Sequence, residues 1–403
     1  MLFASQTHAL SPIELVLLAA YALLGPGVAL GLLVLAGIGT RKLNRFETSP
    51  ADGMPDAGWP QVTIFVPVRN EAEGIENCVR RLLAQDYPQG QFRLVVANDR
   101  STDGTAEILR RLSDEMGERL RVIDILDCPE GCLGKPHALH VAEAEVASQE
   151  GWYLFVDSDV LCEPNALRRT IAMAERRGYD FVSLLPRLIT PTWLERLVAP
   201  VIAAVWLTTF RATDTNNDNR PASAIANGQF LLVRRDGFRA VGGHASVRDR
   251  TCEDVELARQ IKADGNRVRL FMGRSLAATR MHADWSQLLN GWARNFAGTA
   301  RHRPLRLVPA LLLLLAGAVA PAFAVSLFAA KQPLWGGVAL LHATIVAMWI
   351  SRTYMSTGQS ATRALPQALL FPATLIAVAA LLANGIRACV GGTVRWRGVQ
   401  VKA

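Results

Sequence analysis

Six positions carry most of the chemistry legible in this 403-residue chain: Asp99, the triplet Asp157-Ser158-Asp159, and the pair Glu253-Asp254. The triplet directly follows the apolar run Trp152 to Val156, so a strand ends in two carboxylates one residue apart. Hard oxygen ligands of this kind suit Mg²⁺ or Mn²⁺, ions that commonly bridge a protein to substrate phosphates. All six positions lie between long apolar stretches near the two ends of the chain. A carboxylate cluster with a divalent cation, held against a membrane, implies chemistry on a phosphate-activated substrate delivered to a lipid.

The surrounding pattern has to position these groups. Val62–Val66, Phe92–Ala97, Leu120–Ile125, Trp152–Val156 and Tyr179–Leu185 read as strands. Helical periodicity falls at Gly74–Ala84, Thr105–Leu112, about His137–Ala147 and Pro164–Arg176. Strands alternating with helices predict an α/β fold with a mostly parallel sheet. Open sheets of this class bind ligands beyond the carboxyl ends of their strands, where Asp99 and Asp157 fall. Asp103 reads as a cap for the helix from Thr105.

Half of all residues are hydrophobic, concentrated at the two ends. Ile13–Ile38 is apolar except for Glu14 and Tyr21, and exceeds the ~20 residues needed to span a bilayer. It is too long for a signal-peptide core and reads as an uncleaved anchor, kinked at Gly25-Pro26-Gly27. No Lys or Arg precedes it, whereas Arg41, Lys42 and Arg45 follow at once. This charge step places the amino terminus outside and the following domain in the cytoplasm. The six cysteines then need not pair. A net charge of +8 suits anionic lipid or a nucleotide substrate. No aromatic-studded basic run argues for nucleic acid. Leu197–Phe210, interrupted by Pro200 and flanked by Trp193, reads as a core or interfacial helix. Leu305–Ala330 and Pro333–Ile350 read as a hairpin of two spans. Leu365–Ala383 is a third apolar segment. Three spans would put the tail outside, yet Arg387, Arg395, Arg397 and Lys402 favour the inside. A re-entrant or interfacial third segment reconciles the two.

Four motifs occur in order with this strand context: Val66 to Glu71 after the first strand, Asn98 to Thr105 after the second, Asp157-Ser158-Asp159, and Cys252-Glu253-Asp254. In these the chain resembles a membrane-bound family 2 glycosyltransferase with the GT-A fold, a Rossmann-like sheet. Its flanks look most like the hopene-associated glycosyltransferase group, similar also to carotenoid and ceramide glycosyltransferases. The resemblance implies a nucleotide-sugar donor, with a UDP-sugar expected, and a lipid acceptor. It assigns Asp99 to the nucleotide base or ribose and Pro67 to Glu71 to the nucleoside wall. Asp159, with Asp157 near the ribose or the metal, would hold Mn²⁺ or Mg²⁺ on the diphosphate. Lys135, in Leu133-Gly134-Lys135-Pro136-His137, resembles the family's lysine near the donor. A P-loop does not fit, because Pro129 stands where glycine is required and Pro136 replaces Ser or Thr. Cys128, Cys132, His137 and His140 fit no standard zinc finger spacing.

Asn227-Gly228-Gln229 matches the family's loop near the acceptor, with Glu253 beside it. In isolation Glu253, Asp254 and Glu256 read as an acidic first helical turn, favoured by the helix dipole. At the family's position Asp254 reads as the general base. Gly291 and Asn295 stand where polysaccharide synthases carry Gln and Trp of Gln-x-x-Arg-Trp, which argues against processive polymerisation. Arg294 is retained and suits a diphosphate. It also reads as one of several membrane-surface arginines, with Arg301, Arg303 and Arg306. His282 is a further possible neighbour of the site.

The expectation is therefore an inverting, metal-dependent glycosyltransferase acting on a lipid hydroxyl, hopanoid or polyprenoid in kind, as a multi-pass inner-membrane protein. Its rivals are a polyprenyl-phosphate sugar transferase or polysaccharide synthase, and an inactive transferase-fold scaffold. The expected organisation is an anchor over 1–45, a linker over 46–60, a cytoplasmic catalytic domain over 61–282, an interfacial segment over 283–304 and a membrane region over 305–403.

Overall fold

Six of the seven residues of β1 (Val62–Val68) are buried, all but Pro67, so both faces of this strand are covered. The computed structural model describes residues 11–44, 58–146, 151–220, 223–280, 285–391, 393–396 and 399–402. The linker expected at 46–60 and His282 lie largely or wholly outside them. The chain divides into two compact units that are not contiguous in sequence.

The larger unit comprises the described residues of 41–191, 206–304 and 384–402. Its main sheet has seven strands, ordered β3-β2-β1-β4-β8-β6-β9. The others are β2 (Phe92–Asp99), β3 (Leu120–Ile125), β4 (Trp152–Val156), β6 (Phe181–Leu185), β8 (Phe230–Arg234) and β9 (Val268–Met272). β1 runs parallel to both β2 and β4, and β2 to β3. β8 alone is antiparallel to its neighbours β4 and β6. The expected α/β sheet, mostly parallel, is what the chain forms.

The chain builds outward from β1 to β3, then returns to place β4 on the other side of β1. Strand order thus reverses between β1 and β4, the position where open α/β sheets bind ligands. A small second sheet, β5 (Val160–Cys162), β10 (Ala277–Thr279) and β7 (Arg187–Leu188), continues from Asp159. Its register sets Thr279 opposite Val160.

Helices cover both faces. α3 (Ile75–Leu83), α4 (Thr105–Met116) and α6 (Ala166–Arg177) bury Ile75, Leu109 and Leu167 on one face. α5 (Gly134–Glu145), α8 (Arg235–Ala240) and α9 (Glu253–Ala263) bury Leu139, Phe238 and Leu257 on the other. α6 stops at Gly178, whose φ of 61° is open to glycine at little cost. α10 (Trp285–Thr299), expected at the interface, belongs to this unit and buries Ala293, Phe296 and Ala297. β11 (Thr393–Trp396) and β12 (Val399–Lys402) form an antiparallel pair.

The smaller unit comprises the described residues of 11–40, 192–205 and 305–383. α1 (Pro12–Ala22) begins in a capping box between Ser11 and Glu14, with Pro12 at the first position. A π-helical turn at Leu23–Gly27 surrounds Pro26 and continues into α2 (Val28–Leu43). The expected irregularity at Gly25-Pro26-Gly27 is this widened turn, since Pro26 cannot donate to the ladder. α7 (Trp193–Thr209) carries an exposed Trp193, and the Leu197 carbonyl accepts from Tyr354 Oη at 3.0 Å. α11 (Val308–Ala329) and α12 (Pro333–Ser356) pack as a hairpin. The third apolar segment is broken into α13 (Ala361–Ala368) and α14 (Phe371–Gly391). Among the described residues four helices, α1–α2 read as one, are long and apolar enough to cross a membrane.

Candidate active site

Asp99 is the last residue of β2, two residues further than the apolar run alone suggests. It is buried, and Arg100 Nε reaches its Oδ1 at 2.8 Å. Arg69, in the loop after β1, stands 3.9 Å from its Oδ2. Asn70 and Arg100 both adopt left-handed backbone, with φ of 54° and 51°. Their two loops are stitched together. Thr102 N donates to Asn70 Oδ1 at 2.7 Å, and Ala72 N to Asp103 Oδ2 at 3.2 Å. Asp103 also accepts from Thr105 N at 3.0 Å. It therefore serves the start of α4, as expected, and also holds the Pro67–Glu71 loop in place.

Lys135 lies in the first turn of α5 and joins two carboxylates from distant segments. Its Nζ stands 2.7 Å from Asp157 Oδ1 and 2.9 Å from Glu253 Oε1. Burial alone would lower the Lys135 pKa, but Asp157, Glu253 and Asp254 outweigh it and the ammonium is stabilised. Burial would raise Glu253 in turn, and Lys135 overrides that to hold the carboxyl below the usual glutamate value.

Asp254 sits beside this pair. Gly228 N donates to its Oδ2 at 2.6 Å and Val255 N to its Oδ1 at 2.8 Å. These bonds favour the carboxylate, yet burial and the Glu253 charge prevail and push its pKa up to about 6. A Cβ on Gly228 would lie 3.0 Å from Lys135 Nζ and 3.3 Å from Asp254 Oδ2, so glycine is what lets this loop close on both groups.

Asp159 is half-buried, with one of its two carboxylate oxygens fully covered. Its Oδ2 accepts from Thr279 Oγ1 at 3.2 Å, while its buried Oδ1 has no hydrogen-bond partner. Burial first, then Asp157 and Glu71, push its pKa up to about 7. A buried carboxylate oxygen without a donor fits a cation ligand. Among the described residues no group of three or more His, Cys, Asp or Glu is arranged as a metal cage. Two carboxylates, Asp157 and Asp159, instead match an ion that takes its remaining ligands from phosphate and water.

Gln229 is buried. Its Nε2 donates to Thr279 Oγ1 at 3.1 Å, making a chain from Gln229 through Thr279 to Asp159. Asn227 is fixed by Ser183 Oγ and by its own bond to Gln229. Arg294 lies close enough to Cys252, Glu253, Asp254 and Asp157 to feel their charge. Arg301, by contrast, makes a two-pronged ion pair with Glu256 at 2.7 and 2.9 Å. Arg301 stays exposed in this pair, whereas Arg294 faces the carboxylates.

Several supporting residues carried no sequence signal. Glu143 on α5 and His244, in the segment leading to α9, form a buried pair, with the imidazole edge-on to Phe155 at 4.7 Å. This pair locks the helix bearing Lys135 to the segment leading to Glu253. Lys262 donates to three carbonyls, Asp214 at 3.0, Thr215 at 2.8 and Ser223 at 2.9 Å. Burial lowers its pKa to about 8. It gathers the polar loop that leads into Asn227.

Residues 63–242 match the family described as Glycosyl transferase family 2. A 4,4'-diaponeurosporenoate glycosyltransferase of Staphylococcus aureus (strain USA300) is 26% identical over 265 residues, which is 64% of this chain and 67% of that one. The mannosyltransferase PcManGT from Pyrobaculum calidifontis, solved with GDP-Man and Mn²⁺, superposes with a TM-score of 0.52 at 20% identity. That match covers 81% of this chain and 98% of the other, and it agrees with the fold. With its reversal of strand order at β1 and β4 and its carboxylates at the strand ends, the chain has a GT-A-like α/β fold whose segment 63–242 is similar to the glycosyltransferase family 2 domain.

Proposed function

We propose that this protein is a membrane-embedded, metal-dependent, inverting glycosyltransferase that moves one sugar from a nucleotide-diphosphate sugar to a lipid hydroxyl. The observation that carries the reading is the cluster beyond β4. Lys135 ties Asp157 to Glu253 there, Asp254 has its pKa raised toward neutrality, and Asp159 keeps one buried oxygen without a donor.

In this reading Asp99 and the Pro67–Glu71 loop hold the nucleoside, with Arg69 and Arg100 fixing the Asp99 carboxylate. Asp159 and Asp157 hold Mn²⁺ or Mg²⁺, which when bound neutralises charge on the departing diphosphate. Lys135 and Arg294 add positive charge on the same side. Asp254 takes the proton of the acceptor hydroxyl as its oxygen attacks the anomeric carbon. One base and one displacement invert that carbon, with no carboxylate nucleophile required. Gly228 and Asn227 shape the acceptor side, and Glu253 holds Lys135 there.

The relative named for 4,4'-diaponeurosporenoate supports a lipid acceptor, as do the four membrane-capable helices. Gly291 and Asn295 in place of Gln and Trp favour a single transfer to a hopanoid or polyprenoid alcohol. Arg41 and Lys42 at the end of α2 support a cytoplasmic catalytic domain in an inner membrane.

The test is turnover of the full chain in detergent with UDP- and GDP-sugars and a membrane lipid extract. A new neutral glycolipid detected by mass spectrometry is expected. Formation of a polyprenyl-phosphate sugar, or of polymer, would replace this reading with one of its rivals. Nucleoside recognition has its own check. A Cβ at Gly134 would clash with Asp99 Oδ2. Gly134→Ala is therefore expected to weaken donor affinity about tenfold, ~1.4 kcal/mol, without lowering thermal stability comparably. Unchanged affinity by calorimetry would remove Asp99 from the donor site.

A further inference from the structure

α14 has the length and apolarity of a membrane span, yet its contacts put it at the wrong depth for one. α11 and α12 form a hairpin whose tight turn is closed by Lys331 N bonding Phe328 O at 3.0 Å and Gln332 N bonding Leu327 O at 2.9 Å. α12 therefore ends at the level where α11 begins. At a rise of ~1.5 Å per residue, Gly317, nine residues past Val308, lies ~14 Å in from that level. Val346, ten residues before Ser356, lies ~15 Å in from the same level. The two meet: a Cβ on Gly317 would be 3.4 Å from Val346 Cγ2. The same Cβ would be 3.1 Å from Leu375 Cδ1. Leu375, only four residues into α14, is thus half-way through the hydrocarbon, where a full span would have it near one face.

The rest of the chain agrees with this depth. α13, eight residues long, climbs ~12 Å from the end of α12, enough for half a bilayer and no more. From Leu375 to Asn384 α14 descends ~14 Å, back to the starting level. At Asn384 the chain joins the larger unit, where Gly385 lies against Phe296 and Ala293 of α10. That unit is one compact body carrying the seven-stranded sheet, so residues 384–402 share a side of the membrane with it.

The turn satisfies its own backbone, as a polypeptide bend at membrane depth must. Leu369 N donates to Pro366 O at 3.2 Å and Leu370 N to Gln367 O at 3.1 Å. Thr374 supplies both its N–H and its hydroxyl to Leu370 O, at 3.1 and 3.2 Å. Pro366 and Pro372 have no N–H to satisfy. Leu365, Leu369 and Leu370 are exposed at the apex, while Ala364 and Ala368 are buried.

We propose that residues 361–383 form a re-entrant hairpin. It enters the lipid leaflet on the catalytic side, turns at Leu369-Leu370 about half-way through the hydrocarbon, and returns. The chain then crosses the membrane three times, and Leu365, Leu369 and Leu370 form a wedge among the acyl chains of one leaflet. Arg387, Arg395 and Lys402 end on the side of Arg41 and Lys42, which removes the conflict with the positive-inside rule.

The test uses the full chain with an epitope after Ala403 or within the turn at Lys331, in vesicles of both orientations treated with protease. The tag after Ala403 should be cut only from the face that exposes the sheet, and the tag at Lys331 only from the opposite face. Protection of both tags from the sheet's face would show α14 to be a full span and overturn the proposal. Cleavage of both from that face would overturn it too. Depth is read separately by a nitroxide on Leu369→Cys, corrected for the parent's own cysteines. Access to oxygen should far exceed access to a water-soluble nickel chelate. Equal access to the two would place the turn at the surface and exclude the hairpin.

Discussion

Asp254→Asn is expected to bind nucleotide sugar about as well as the parent and to lose turnover by ~10²-fold or more. The substitution is nearly isosteric. The amide oxygen can still accept from Gly228 N or Val255 N, which hold the carboxylate at 2.6 and 2.8 Å, so the loop and the start of α9 should keep their geometry. What is lost is the proton acceptor. The parent enzyme supplies a second reading of the same group. Burial and Glu253 raise the Asp254 pKa to about 6. A base works only when ionised, so turnover should rise as pH climbs through about 6 and level off above it, and the Asn variant should lack that step. Calorimetry for donor affinity beside turnover at pH 5 to 8 decides the matter. Near-normal turnover, or donor binding lost as severely as in Asp159→Ala, would return Asp254 to the role of an acidic helix-start residue. It would also favour a phosphate acceptor, which needs little help from a base.

Chelation should abolish activity, and Mn²⁺ or Mg²⁺ should restore it. Asp159→Ala should abolish turnover and donor hydrolysis whatever metal is added, while membrane insertion stays normal. The basis is the buried Asp159 Oδ1, which has no hydrogen-bond donor, beside Asp157. Two like charges in a buried place are costly unless a cation answers them, and Lys135 answers only Asp157 directly. The apparent pKa of Asp159 should therefore fall from about 7 when metal binds, releasing a proton that calorimetry in buffers of different ionisation heat would count. Full activity in chelator would end the metal role. Thr279→Val offers a milder companion, since it removes the only hydroxyl bonded to Asp159 and the link to Gln229 among the described residues. Its expected signature is a raised metal requirement with little change in the nucleotide's own affinity.

Much of this protein is determined locally and can be read from the sequence. Asp99, Asp157 and Asp159 announce themselves because each follows an apolar run, and a run that stops at carboxylates must leave the sheet there. The order of strands and helices implies a mostly parallel sheet, and the charge step at Arg41 and Lys42 carries the proposed orientation of the first helix. Asp103 is readable as a cap because capping acts over two or three residues.

The tertiary structure alone decided how these pieces meet. Lys135 joins Asp157 and Glu253, Glu143 meets His244, Gln229 turns to Thr279, and Lys262 gathers Asp214, Thr215 and Ser223. Each contact links segments tens of residues apart, and no periodicity records which distant helix start will face which strand end. Arg294 shows the same limit: the sequence left it between a diphosphate contact and one of several surface arginines, and packing of α10 within the sheet unit brings it near the carboxylates. The last apolar segment makes the point for the membrane. Hydropathy measures length and apolarity, and α14 satisfies both. Depth depends on which residues touch, and the meeting of Leu375 with Gly317 half-way along α11 is a property of packing that hydropathy does not encode.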